Sequence, residues 1–268
     1  MSRNYSATRL QAVPVSHGQF SLLLFTFLIL LMAYQPVRAD QSSSKPVSVV
    51  ELFTSHGCSS CPPADEYLAS LIAQDDSLVA LEFHVDYWNQ LVHGAAGNWV
   101  DPFSSREFTD RQRAYNARPL DGRPGVYTPQ IVVNGQYAAV GSDRRRINRF
   151  LDKAKAPAQI ALQVEPQEDK QLTVQVKHLE KSRTRLWLVV YDLHERTDIT
   201  AGENKNVTID NHHIVKSMTQ IGKTLTGDAG LTQQLSVNVN LADGEGCSIL
   251  AQAVLTGPVQ GAVNCPRS

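Results

Sequence analysis

A pair of cysteines separated by two residues, Cys58 and Cys61, places the strongest constraint on the fold of this chain. The apolar, β-branched run at residues 47–53 precedes the pair and predicts a short buried strand. Two prolines follow the pair, and apolar residues then recur at helical spacing through residues 64–73. Proline is tolerated in a first helical turn, because the N–H groups there lack intrahelical partners. The pair is therefore predicted to lie at the N-terminus of a helix that follows a strand.

The next hundred residues continue this mixture of strands and helices. Strands are expected at residues 78–87, 129–134 and 136–140. A long insert at residues 88–127 contains one expected helix at residues 104–116, where Ser104 and Glu107 match a capping box. A helix at residues 143–155 closes the series, so this part of the chain is predicted to be an α/β domain.

The pattern changes near residue 156. About seven segments of alternating character follow in about 110 residues, separated by turn residues and without long helical periodicity, which is typical of an all-β sandwich. We therefore predict two domains, at residues 47–156 and at residues 157–268.

The N-terminal segment has the features of a secretory signal peptide. An uncharged apolar run at residues 20–33 follows a stretch whose charged residues are all basic. The run is shorter than the roughly 20 residues needed to cross a bilayer, so a cleaved signal over residues 1–39 is favoured over an uncleaved anchor. After cleavage behind Ala39, residues 40–46 would form a flexible leader. The mature protein is expected to be secreted or periplasmic, without stable membrane insertion.

The charge balance excludes one class of partner. Lys and Arg total 25, against 26 Asp and Glu, and three of the arginines lie in the predicted signal peptide. A mildly acidic protein with interspersed charges is a poor candidate for nucleic-acid binding, and no nucleic-acid partner is expected.

The chemistry of the close cysteine pair follows from its position. The positive end of a helix favours a thiolate, and unpaired N–H groups there can donate to the sulfur. Cys58, nearer to solvent at the end of the loop, is the expected attacking thiolate, and Cys61 is the expected resolving thiol. Such a dithiol needs no cofactor or metal ion. An inert structural disulfide and a zinc site remain alternatives.

The order of strand, C-x-x-C helix and strand, with Thr128-Pro129 opening a later strand, resembles the thioredoxin superfamily over residues 47–155. The strings VELFTSHGCSSCPPAD, HVDYW, DPFSSREFTDRQRAY and GVYTPQIVVNG more narrowly resemble a secreted thioredoxin-like family without an assigned function. The resemblance implies that Pro129 is cis and that the backbone of Thr128 docks the substrate chain. The sequence departs from the superfamily at Leu52. This residue occupies the position where members of the superfamily have a buried acid. Glu51 should point to the opposite face of the strand.

Five further residues are candidates for auxiliary roles: His56, Ser59, Ser60, Asp86 and Trp88. The hydroxyls of Ser59 and Ser60 could donate to a thiolate or merely suit a helix start. His56 could stabilise or deprotonate the thiolate, or face solvent. Asp86 and Trp88, at the end of the second strand, could shape a substrate groove or pack beneath the insert.

A second cysteine pair, Cys247 and Cys265, flanks two β segments joined by a turn. We predict a structural disulfide that closes this hairpin, worth about 3 kcal/mol in the chain-entropy estimate. A role as relay partner for the first pair is the alternative.

Five arginines in the insert form another group. They are expected on a solvated helix face, or else as contacts to an acidic partner: Arg106, Arg111, Arg113, Arg118 and Arg123.

The expected fold class is an α/β thioredoxin-like domain followed by a smaller all-β, sandwich-like domain. The expected function is that of an exported thiol–disulfide oxidoreductase acting on protein or small thiol partners. Two alternatives remain open: a non-enzymatic binding module with an inert disulfide, and a protein that handles Cu(I) through the reduced pair.

Overall fold

The computed structural model describes residues 48–91, 99–155, 158–168, 170–254 and 256–266. The predicted signal peptide and leader, and part of the predicted insert, lie outside the described residues. Within those ranges, no helix combines the length and the apolar character needed to cross a membrane.

Helices and strands alternate in the first half of the described chain, and strands alone follow in the second half. The helices are α1 Pro62–Gln74, α2 Trp88–Leu91, α3 Arg106–Asn116 and α4 Arg144–Lys153. The strands are β1 Val49–Thr54, β2 Val79–His84, β3 Asp121–Gly122, β4 Gln130–Val133, β5 Tyr137–Val140, β6 Ile160–Gln167, β7 Gln171–His178, β8 Ser182–Asp198, β9 Thr208–Gly227, β10 Thr232–Asn238, β11 Glu245–Ala253 and β12 Val259–Asn264.

Nine of these strands form one mixed sheet, in the order β12-β11-β8-β9-β2-β1-β4-β5-β3. At its centre β1 pairs in parallel with β2 and antiparallel with β4. On the far side of β2, β9 joins in parallel where Glu82 lies opposite Ile214. Strands β8, β11 and β12 then extend the sheet with antiparallel pairs. A separate antiparallel sheet has the order β10-β7-β6.

Both faces of the central strands are covered, which is why β1 and β2 are buried along their whole length. Successive side chains of a strand point to opposite faces. Leu52 therefore packs with α1 and α4 in one apolar cluster, and Phe53 packs with Phe83, Phe108 and Tyr115 in another. A third cluster lies between the three-stranded sheet and strands β8, β9 and β11.

The predicted fold class is wrong. The structure is mostly β, because 48% of the described residues lie in strands and 18% in helices, and its large sheet combines strands from both halves of the chain. It is therefore not an α/β thioredoxin-like domain followed by a smaller all-β domain. The physical reason is the length of β8 and β9, which have 17 and 20 residues. The start of β9 joins β2, and its later residues Ile221 and Leu225 pack in the third cluster.

Two local predictions concern a cap and a crosslink. Ser105, rather than Ser104, caps α3, because its side chain accepts a hydrogen bond from the Glu107 N–H. Strands β11 and β12 form a hairpin, and the predicted disulfide between Cys247 and Cys265 is present.

Candidate functional site

The close cysteine pair lies where the chain passes from β1 into α1, and its two sulfurs form a disulfide. Cys61 is the N-cap residue of α1. Cys58 lies in the turn before the helix, where its carbonyl oxygen accepts a hydrogen bond from the Cys61 N–H at 3.0 Å. Cys61 thus lies at the end of the helix rather than inside it, and Cys58 lies in the loop that precedes it.

The expected backbone donors to the sulfur are otherwise engaged. The two prolines that open α1 carry no N–H. The next two N–H groups, of Ala64 and Asp65, donate to the Cys61 carbonyl oxygen at 2.8 and 3.2 Å. The Ser60 hydroxyl lies 3.4 Å from Cys58 Sγ, and it is the donor that the structure places beside this disulfide sulfur.

The expectation that Cys58 lies near solvent is wrong. Cys58 and Cys61 are both 0% exposed, although Ser59 and Ser60 between them are exposed. The connection from β8 to β9, residues 199–207, lies over this turn. We call this segment the cover loop.

The cover loop is tied to the cysteine turn by side-chain hydrogen bonds. Asn204 Nδ2 donates to the carbonyl oxygens of His56 at 2.8 Å and Cys58 at 3.1 Å. Glu203 Oε2 accepts from the Ser59 N–H at 3.1 Å. Asn204 is itself buried. The turn is thus held by residues that lie almost 150 positions later in the chain.

The peptide bond between Thr128 and Pro129 is cis and directly precedes β4. A Cβ atom on Gly141 would lie 2.7 Å from Ala64 Cβ and 3.0 Å from Pro129 Cβ. Pro129 is therefore a close neighbour of the first turn of α1, next to the cysteine pair. Trp88 Nε1 donates to Thr128 Oγ1 at 2.6 Å, so Trp88 holds the residue that precedes the cis proline.

Asp86 forms two hydrogen bonds with Thr109. Its N–H donates to Thr109 Oγ1 at 3.0 Å, and the Thr109 hydroxyl donates to Asp86 Oδ1 at 2.6 Å. Because Thr109 belongs to α3, these bonds fasten that helix to the end of β2. This matches the interpretation in which Asp86 supports packing beneath the insert.

Sequence reasoning missed most of a buried polar cluster beside the cysteine turn. Its members are Thr54, His56, Asp65, Glu82, His84, Asp101 and Asn211. The register of β1 and β2 places Glu82 opposite Leu52. A carboxylate therefore lies one strand away from the position where the resemblance leads us to expect an acid. Glu82 and His84, two residues apart in an otherwise apolar strand, were the signal in the sequence.

Asp65 connects this cluster to the cysteine pair. It lies four residues after Cys61, so the two side chains share one face of α1. Thr54 Oγ1 donates to Asp65 Oδ1 at 2.7 Å. Burial raises the pKa of Asp65 well above its ordinary value, and the neighbouring charge of Glu82 raises it further. The carboxyl therefore holds its proton at pH values where an exposed aspartate has lost it.

His84 and Asp101 form a buried ion pair. His84 Nδ1 lies 2.8 Å from Asp101 Oδ2, and His84 Nε2 lies 3.2 Å from Glu82 Oε1. Burial alone would lower the pKa of His84, but the two carboxylates outweigh it and raise this pKa to about 10. Burial would likewise raise the pKa of Asp101, yet the charge of His84 and its hydrogen bond hold it below its ordinary value.

His56 faces the interior of the cluster. Its ring atom Nε2 lies 2.8 Å from Asn211 Oδ1, and its backbone N–H donates to Asp101 Oδ2 at 2.8 Å. Burial lowers the pKa of His56 in spite of the Asp101 charge, which favours a neutral ring. The alternative of a solvent-facing loop histidine is therefore wrong.

A second buried network lies on the opposite face of β1. Glu51, as the strand alternation predicts, points away from α1 and accepts a hydrogen bond from Arg111 Nε at 2.9 Å. Arg111 also donates to Tyr115 and to Gln252 of β11. The side chains of Arg111 and Glu51 are 9% and 0% exposed. Arg111 is thus a buried structural cation rather than part of the expected solvated helix face.

Comparisons with known proteins place this arrangement in a family. A family model described as "protein of unknown function (DUF1223)" matches residues 49–254. The chain is also similar to the crystal structure of a structural genomics target from Agrobacterium tumefaciens, at 28% identity and a TM-score of 0.66. That similarity covers 81% of this chain and 93% of the other. No functionally curated protein matches.

Proposed function

Because the chain belongs to the DUF1223 family, whose function is unknown, we propose an activity from its own residues. The protein is an exported thiol–disulfide oxidoreductase that acts on protein or small thiol partners. Cys58 is the attacking thiolate and Cys61 the resolving thiol. The local combination of a C-x-x-C turn, a helix and a cis proline is similar to that of thioredoxin superfamily enzymes.

The observation that carries this proposal is the buried carboxyl of Asp65, one helical turn from Cys61. Burial of an acid costs free energy, and a purely structural disulfide gains nothing from it. Strongly perturbed acids concentrate at sites where a proton moves. A raised pKa brings the carboxyl closer to the pKa of a thiol, which makes proton transfer between the two groups more efficient.

The proposed exchange conserves protons and electrons. A substrate thiolate attacks Cys58 Sγ, the bond between the two cysteines breaks, and Cys61 leaves as a thiolate. Protonated Asp65 supplies a proton to Cys61. A second substrate thiolate then displaces Cys58 from the mixed disulfide, so the substrate is oxidised and the pair is reduced. In the reverse direction the Asp65 carboxylate accepts the proton as Cys61 attacks.

Trapping of the mixed disulfide tests the proposal. The Cys61→Ser variant is expected to form a stable adduct with oxidised glutathione through Cys58, because no resolving thiol remains to release it. The matched Cys58→Ser variant is expected to form little adduct. Intact-mass spectrometry at equal protein concentration measures both. Equal adduct formation in the two variants, or none in either, would contradict the assigned roles.

The burial of Cys58 means that the cover loop must move during exchange. The Asn204→Ala variant loses two hydrogen bonds to the cysteine turn. We expect this to raise the rate at which dithiothreitol reduces the Cys58–Cys61 disulfide roughly ten-fold, since one hydrogen bond contributes about 0.5–1.5 kcal/mol. Alkylation followed by peptide mass spectrometry measures this disulfide separately from the second one.

The control for this experiment is Lys205→Ala, which changes an exposed neighbour in the same loop. Its reduction rate should match that of the unchanged protein. If Asn204→Ala and Lys205→Ala behave alike, the cover loop does not control access to the disulfide.

A second candidate function is favoured by the complete burial of both sulfurs. In that case the disulfide is a structural crosslink in a binding module. The reduction potential separates the two functions, because structural disulfides have potentials below about −300 mV and react slowly with thiols. A higher potential supports the oxidoreductase.

A further inference from the structure

The buried polar cluster contains three residues of ligand character in close contact. One ligand atom from each of His56, His84 and Asp101 lies within 4.8 Å of the other two, and all three residues are buried. We propose that these side chains bind a divalent transition metal ion, with Zn²⁺ as the best match to two imidazoles and one carboxylate. A metal ion was considered above only as a ligand of the cysteine pair, and this inference does not depend on the chemistry of that pair.

The first argument for a cation-binding site is the environment of His56 Nδ1. Asn211 Nδ2 donates to Glu82 Oε1 at 2.6 Å, which orients the amide so that Asn211 Oδ1 accepts from His56 Nε2–H. The lone pair of His56 then resides on Nδ1. This atom is buried and has no hydrogen-bond partner within the described residues, and it lies 3.7 Å from Asp101 Oδ1. A lone pair facing a carboxylate oxygen is unfavourable unless a proton or a metal ion lies between them, and burial disfavours the protonated ring.

The second argument is that each imidazole has a side-chain partner at its other ring nitrogen, Nε2. His56 Nε2 is held by Asn211, and His84 Nε2 by Glu82. Outer partners of this kind fix the tautomer and the ring orientation of histidines that bind metals through the other nitrogen. Here they direct both Nδ1 atoms towards Asp101.

The third argument is distance. Two ligands at 90–110° around a metal, with bonds of about 2.1 Å, lie roughly 2.9–3.4 Å apart. His84 Nδ1 and Asp101 Oδ2 are 2.8 Å apart, and His56 Nδ1 and Asp101 Oδ1 are 3.7 Å apart. Small side-chain rotations therefore bring the three atoms into a coordination sphere, in which the ion replaces the proton between His84 and Asp101.

The fourth argument is charge and access. The cluster contains the carboxylates of Glu82 and Asp101, and neither lysine nor arginine is among its members. A divalent ion would offset this concentration of negative charge. The Phe103 ring, which is half-buried, packs against the rings of His56 and His84 at 5.5 and 5.4 Å. The proposed site thus lies one side chain below the surface.

Titration of the oxidised protein with Co²⁺ and Zn²⁺ tests this proposal, because the disulfide removes both thiols as competing ligands. The protein is first treated with a chelator, which is then removed. We expect it to bind one Co²⁺ per chain, visible as ligand-field absorption bands that disappear when Zn²⁺ displaces the Co²⁺. The same stoichiometry in a Cys58→Ser/Cys61→Ser double variant would support the site whatever the fate of the oxidoreductase proposal. Absence of stoichiometric binding in the oxidised protein would overturn it.

Two variants locate the site. His56→Phe and Asp101→Asn are each expected to weaken Co²⁺ binding at least ten-fold, and circular dichroism establishes that each variant is folded. The matched control is His194→Ala, which removes an exposed histidine paired with Asp210. Zn²⁺ should raise the Tm of the unchanged protein and of the control, but not that of the two site variants. Equal loss of affinity in the control, or full affinity in both folded site variants, would contradict the assignment.

Discussion

The Arg111→Met variant is expected to lower the free energy of unfolding by about 3–5 kcal/mol, because it leaves the Glu51 carboxylate buried without its partner. The side chains of Glu51 and Arg111 are 0% and 9% exposed. The arginine also donates to Tyr115 and Gln252, so the variant removes the link between β1, α3 and β11. Methionine retains much of the side-chain volume, which limits the contribution of a cavity. Urea denaturation at neutral pH measures the change.

Two further variants isolate the ion pair as the cause. Arg113→Met removes an exposed arginine of the same helix, whose pair with Asp110 is solvent-accessible, and should cost at most about 1 kcal/mol. The double variant Glu51→Gln/Arg111→Met should recover part of the loss, since no unpaired charge remains. Equal losses in the Arg111 and Arg113 variants would show that the burial of the pair has no energetic consequence.

The local elements near the cysteine pair could be predicted because short-range rules determine them. The apolar run before Cys58 and the two prolines after Cys61 each act within a few residues. Strand alternation likewise predicted that Glu51 points away from the face of Leu52. These predictions needed no knowledge of which strands become neighbours.

The architecture could not be predicted, because it depends on long-range pairing. The outer ends of β8 and β9 include the segments LHERTD and TIDNHH, whose polar residues hide their strand character. Backbone hydrogen bonds between the two strands hold these ends together, and the last pair of opposite residues is Asp198 and Thr208. The paired strand ends place the cover loop at the cysteine turn. Apolar patterning does not reveal such a contact. For that reason Cys58 was expected to be exposed to solvent, although it is buried.

The buried cluster shows the same limit for the candidate site. Its acids come from α1, β2 and the insert, so no short motif unites Asp65, Glu82 and Asp101. Leu52 stands where the resemblance leads us to expect a buried acid. The structure supplies carboxyls from the neighbouring strand and from the helix itself.

We expect the Asp65→Asn variant to become more stable than the unchanged protein as the pH rises, and to carry out thiol–disulfide exchange more slowly. Burial raises the pKa of Asp65 in the folded protein above its ordinary value of 3.8, which applies to the unfolded chain. Below that value both states hold the proton, so the residue causes no pH dependence. As the pH rises beyond it, the unfolded chain releases the proton first, and folding becomes less favourable by up to about 1.4 kcal/mol per pH unit until the folded pKa is reached. Asparagine cannot ionise, and its Oδ1 can still accept the hydrogen bond from Thr54.

Urea denaturation at pH 4 and at pH 7 measures the stability effect, and Glu66→Gln, an exposed neighbour on α1, is the control. The Asp65→Asn variant should be more stable than the unchanged protein at pH 7, with little difference at pH 4. The rate of exchange with reduced glutathione should fall at least ten-fold, because Cys61 loses its proton donor. An unchanged pH profile of stability would mean that Asp65 titrates as an ordinary aspartate. A gain in stability with an unchanged exchange rate would instead remove Asp65 from the proposed proton transfer and leave it as a buried acid of the structure alone.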